Sequence, residues 1–139
     1  MRRARSRPTG APAMTSLGVW AGVAVLGGLG AVLRYLVDRT VSRRSPTRLP
    51  AGIFVVNITG ALALGLLAGA AVSPRTALLA GAALLGSYTT FSTWMLDTVE
   101  LAERRPRRRA VLDTVVNIVA GVVAGLGAAA VGYRVGSML

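Results

Sequence analysis

Residues 86–94 read GSYTTFSTW: one glycine, two serines, three threonines and three aromatics set in the middle of an otherwise mainly apolar run. Glycine, serine and threonine are weak helix formers. Inside a bilayer, a backbone that leaves the helix strands N–H and C=O groups that lipid cannot satisfy, so it persists only where protein or a water-lined cavity supports it. The run is therefore expected to be a helix broken over 86–90, with Thr89 near its midpoint. Where half-helices meet, carbonyls at one end can hold a cation and N–H groups at the other favour an anion. A single break offers too few oxygens for a cation cage, whereas two copies across a two-fold axis offer twice as many, which points indirectly to a dimer. A threonine-stabilised kink without an ion is the competing explanation.

Outward from this stretch, apolar runs lie at about 17–37, 51–72, 76–102 and 111–133, each close to the roughly 20 residues that cross a bilayer as helix. Of 139 residues, 53% are apolar and the mean hydropathy is +0.60, which leaves too little polar surface for a soluble fold. The expected fold class is an all-α integral membrane protein with four transmembrane helices, the third broken near its centre. Residues 1–16, MRRARSRPTGAPAMTS, are basic and Pro- and Gly-bearing, and disorder is expected there. Residues 17–139 form the transmembrane domain. The N-terminus imitates a signal peptide, but no small-residue cleavage site follows and the pattern continues through Arg34 and Tyr35. Pro50 suits a helix start, Ser73 and Pro74 punctuate the chain, and ERRPRRR at 103–109 reads as a loop outside the hydrocarbon. The 17 glycines suit close helix packing, with G-x-x-x-G pairs at Gly65/Gly69 and Gly121/Gly125.

All 16 basic residues are arginine and the net charge is +11. They crowd into the N-terminus and the connections, which marks them as charge at the membrane surface rather than a nucleic-acid site. Counted by side for a four-pass chain, Arg2, Arg3, Arg5, Arg7, Arg75 and Arg134 oppose Arg39, Arg43, Arg44, Arg48, Arg104, Arg105, Arg107, Arg108 and Arg109. So small a bias is what a chain inserting in both orientations would show. Cysteine and histidine are absent, which removes disulfides, thiolate and imidazole chemistry and the commonest metal ligands. The carboxylates Asp38, Asp97, Glu100, Glu103 and Asp113 sit in or towards helix ends, so no enzymatic activity is expected. With no Asp, Glu, Lys or His at the middle of a helix, passive conduction is favoured over proton-coupled transport.

Several side chains can line a path for a small anion. Phe91 and Trp94, three apart, share a helical face, as do Thr90 and Thr93. An aromatic edge is positive and attracts an anion even in an apolar wall, although such pairs also serve packing alone. Asn57 and Asn117 each fall in the first half of a helix, where an amide either donates to an anion or bonds a neighbouring helix. Arg34, a turn from the end of its helix, either snorkels to the headgroups or adds positive potential to an aqueous mouth.

Taken in order, GGLGAVLRY (27–35), VVNITGALALG (55–65), GSYTTFSTW (86–94) and the late VVNIVAG (115–121) resemble the Fluc/CrcB fluoride-channel family, from Gly27 onward. The resemblance implies an antiparallel, dual-topology homodimer in the plasma membrane. It would have two fluoride pores and a structural Na⁺ at its centre, held by backbone carbonyls of Gly86 and Thr89 from both chains. It further implies that Phe91 and Trp94 form an aromatic box and Asn57 binds fluoride. The hydroxyls of Ser92 and Thr93 and the amide of Asn117 would belong to the same path, with Arg34 at its vestibule. The family lets fluoride leave the cytoplasm down its gradient, which relieves toxicity.

Two features depart from that pattern. Trp94 replaces a second phenylalanine, which adds bulk and an N–H donor, and Gly121 and Gly125 stand where hydroxyl residues often form a polar track. This implies a reduced track or pairing with a paralogous second subunit. A small multidrug exporter would need a carboxylate within the first helix, and a non-transporting scaffold would not need a polar centre in the third run.

Overall fold

A computed structural model describes residues 13–45, 51–103 and 106–139. Helix α1 is Ala13–Arg44 and α2 is Ala51–Gly69. Helix α3 covers 74–88 and has three parts: a first turn Pro74–Thr76, a π-helical stretch Ala77–Leu85 and a closing α-turn Gly86–Tyr88. Helices α4, Ser92–Glu103, and α5, Arg107–Gly136, complete the chain, and no strand occurs among the described residues.

Three helical segments are long and apolar enough to cross a membrane: Leu17–Arg44, Ala51–Gly69 and Ala110–Gly136. The third apolar run is not among them because it is split. Helix α3 and the 12-residue α4 are each shorter than the roughly 20 residues that span a bilayer alone.

Helix boundaries move for local reasons. Helix α1 runs past Val37 to Arg44, with Thr40 Oγ1 donating to the Leu36 carbonyl at 2.7 Å and Ser42 Oγ to Asp38 Oδ1 at 3.1 Å. Arg43 and Arg44 in its last turn complement the helix dipole. At the other end α1 includes residues 13–16, while residues 1–12 of the basic segment lie outside the described residues. Helix α2 stops at Gly69 rather than Val72, because Ala71 turns left-handed at φ 46°. Helix α5 starts at Arg107 and takes the last three arginines of the expected loop into its first turn. Of the arginines counted by side, Arg2, Arg3, Arg5, Arg7, Arg48, Arg104 and Arg105 lie outside the described residues.

Small residues decide which helices touch. A Cβ added at Gly65 or Gly69 would fall 2.1 Å from the carbonyl oxygen of Ala129 or Tyr133 on α5. The fit is reciprocal: a Cβ at Gly132 or Gly136 would fall 2.1 or 2.2 Å from the oxygen of Leu62 or Leu66 on α2. Backbones this close gain dispersion and Cα–H···O contacts where lipid offers no hydrophobic drive. The expected Gly65/Gly69 pair thus packs helices, but its counterpart on α5 is Gly132/Gly136. Gly121 instead faces Trp94, and nothing lies within 4 Å of a Cβ at Gly125. Gly30 likewise lets α1 approach the Leu84 carbonyl of α3, where a Cβ would meet oxygen at 2.2 Å. Among the described residues the buried apolar side chains are Ile53, Val56, Ala83 and Ala110, while Leu17, Trp20, Val123 and Leu126 are exposed, as suits a lipid-facing surface.

Candidate functional site: the break between α3 and α4

The helix does break, over 89–91 rather than 86–90. Gly86–Tyr88 remains helical, and two hydroxyls extend the turn by bonding backwards: Ser87 Oγ to the Ala83 carbonyl at 2.7 Å and Thr89 Oγ1 to that of Leu85 at 3.0 Å. Thr89 then leaves the helix in an extended conformation, φ −76°, ψ 156°.

At the break, one side chain does the work of two backbone groups. In a continuous helix the Thr90 N–H would bond the Gly86 carbonyl, and the Thr90 carbonyl would accept from the Trp94 N–H. Here the Thr90 N–H donates to Asn57 Oδ1 at 2.9 Å, and Asn57 Nδ2 donates to the Thr90 carbonyl at 2.9 Å. Both bonds that the break forfeits at Thr90 are thus restored by a single amide from α2. The Gly86 carbonyl is left without its helical donor, and one N–H of Asn57 is not used on Thr90.

Thr90, which is buried, organises the start of α4 through its hydroxyl. Its Oγ1 accepts from the Thr93 N–H at 3.3 Å, donates to Thr93 Oγ1 at 3.1 Å and lies 3.4 Å from Ser92 Oγ. Behind the break, Gly60 gives Thr89 room: a Cβ there would sit 2.2 Å from the Thr89 methyl. The adjacent Tyr88 hydroxyl bonds Thr59 Oγ1 at 2.8 Å. Gly86 also belongs to the lining of an apolar groove of about 490 Å³ between α2 and α3, with Leu64, Ala68, Gly81 and Ala82.

Phe91 and Trp94 meet edge to face, with ring centroids 6.0 Å apart and planes at 83°. Phe91 is 69% exposed and Trp94 half-buried. Asn117 serves another junction, donating from Nδ2 to Thr98 Oγ1 at 2.7 Å, while Thr98 donates to the Trp94 carbonyl at 2.7 Å. Half-buried Arg34 lies on α1, one turn from Gly30.

The structure therefore joins Asn57, Thr90, Ser92 and Thr93 in one network and Phe91 with Trp94 in a ring pair. It sets Asn117 apart with Thr98. The parts of Thr90 as hub and Thr98 as link escape a reading by residue type. The only trace of Thr98 in the sequence is its place one helical turn after Trp94.

No cluster of three His, Cys, Asp or Glu side chains that could hold a metal occurs among the described residues. The released Gly86 carbonyl and the extended Thr89 are backbone donors at the break, and carbonyls of unwound backbone can coordinate alkali cations.

Residues 21–133 match the family described as CrcB-like protein, Camphor Resistance (CrcB). The chain is 53% identical over 108 residues to the fluoride-specific ion channel FluC 2 of Mycolicibacterium paratuberculosis, covering 78% of this chain and 88% of that protein. It is 50% identical over 118 residues to FluC 2 of Mycobacterium bovis, covering 85% and 93%. To FluC 1 of Geobacillus kaustophilus it is 40% identical over 114 residues, covering 82% and 94%. With a polar break clamped inside an all-helical, multi-pass membrane fold and a family match over most of its length, the chain belongs to the CrcB family.

Proposed function

We propose that two copies of this chain, inserted antiparallel in the plasma membrane, form a channel through which fluoride leaves the cytoplasm passively, lowering its toxicity. The observation that carries this reading is the Asn57–Thr90 clamp. A break at membrane depth is expensive, since each unpaired peptide group costs roughly 1–3 kcal/mol or more. A side chain dedicated to sustaining the break argues that the break has a use. In this reading α3 and α4 together make a fourth crossing.

Anions would pass along the α4 face bearing Phe91, Trp94, Ser92 and Thr93, with Asn57 offering its remaining N–H. Asn117 would extend the path and Arg34 would raise the potential at its mouth. Na⁺ fits the neutral donors at Gly86 and Thr89, with half the cage supplied by the second copy. The groove that reaches Gly86 is a surface such a copy could cover.

Purified chain in liposomes, read with a fluoride electrode, tests the proposal. Fluoride should be released without chloride and without a proton gradient, and Phe91→Ile should slow release. A chain that is silent alone yet active with a paralogous subunit would replace the homodimer by a heterodimer. Release coupled to protons, or none in either form, would reject the channel.

A further inference from the structure

We infer that the indole N–H of Trp94 is a hydrogen-bond donor to the permeating anion and helps select fluoride over chloride; this rests on the channel reading above. Trp94 Nε1 is buried and has no hydrogen-bond partner among the described residues. An indole nitrogen only donates, so its missing partner must be an acceptor, never a cation: an anion, a water oxygen, or a carbonyl or hydroxyl oxygen of a second copy. A donor left unpaired away from water is costly, and the site favours whatever supplies that acceptor. The other buried polar side-chain atom without a partner among the described residues, Thr114 Oγ1, can donate or accept and carries no such preference.

The ring packs against α5. A Cβ at Gly121 would lie 2.2 Å from Trp94 Cζ2 and 3.0 Å from Cε2, the carbon bonded to Nε1. The six-membered edge of the ring is thus seated in a notch that exists because α5 has no side chain at 121. One turn earlier on α5 is the Asn117 amide, and one turn later Gly125 borders open space. Across the ring, exposed Phe91 meets Trp94 edge to face. Trp94 and Gly121, both departures from the family pattern, are a matched pair. Fluoride has the highest charge density of the halides and gains most from a directed N–H.

Trp20, exposed on α1, and Trp94 are the two tryptophans of the chain. In full-length Trp20→Phe protein in liposomes, indole fluorescence should change saturably with sodium fluoride and not with sodium chloride. Trp94→Phe should still release fluoride through the remaining ring edges, with fluoride-over-chloride preference lowered about tenfold, the scale of one hydrogen bond to a charged group. Fluoride release without any fluorescence response, or an unchanged preference in Trp94→Phe, would overturn this inference and leave the channel standing. Absence of fluoride release from wild type would remove both.

Discussion

Asn57 and Asn117 stand in nearly the same words of sequence, VVNITG and VVNIVAG, and do different things. Asn57 meets a helix that has opened, and its amide replaces the two backbone bonds missing at Thr90. Asn117 meets the unbroken α4, whose backbone is already paired, and bonds the Thr98 hydroxyl. A glycine follows each asparagine and admits a side chain from the facing element: Gly60 for Thr89 and Gly121 for Trp94. The same local motif thus acts as a splint at one junction and as a tether at the other. What lies opposite sets the role, and only the splint carries groups that membrane cannot solvate.

The comparison should show most strongly in Asn57→Leu. Leaving the Thr90 N–H and carbonyl unpaired should cost about 2–6 kcal/mol, seen as a large fall in the unfolding midpoint in detergent. A small fall would mean that the break is held by something else. Gly121→Ala comes next, because its Cβ would press on Trp94; about 1–3 kcal/mol of destabilisation is expected. Trp94→Phe should relieve it, and strict additivity of the two substitutions in a double-mutant cycle would show that ring and notch are not coupled. Asn117→Leu removes one side-chain bond from a helix that stays paired, and about 0.5–1.5 kcal/mol is expected. Should it match Asn57→Leu, the distinction between splint and tether disappears. Gly125→Ala, with open space around its new methyl, should stay within about 0.5 kcal/mol of wild type.

The break was legible in GSYTTFSTW because glycine, serine and threonine cluster where lipid demands helix. Its position was not, because the hydroxyls of Ser87 and Thr89 prolong the turn by back-bonding, and composition does not say whether a hydroxyl will continue a helix or leave it. Gly65 and Gly69 read correctly as a packing pair, but their counterpart on α5 depended on three-dimensional register. Gly132/Gly136 and Gly121/Gly125 have the same spacing, and only the first faces α2. The π-helical stretch Ala77–Leu85 left no sign either: its alanines and leucines suit an α-helix equally well. Asn57 and Trp94 were singled out by type, whereas the bond to Thr90 and the notch at Gly121 required knowing which elements face each other.

The most direct test is the initial rate of fluoride release from vesicles holding Asn57→Leu, with wild type and Gly125→Ala beside it and circular dichroism confirming helical insertion of all three. Wild type and Gly125→Ala should release fluoride at similar rates, while Asn57→Leu should fall to the level of empty vesicles. Release by Asn57→Leu at the wild-type rate would contradict the claim that the clamped break is the conducting element.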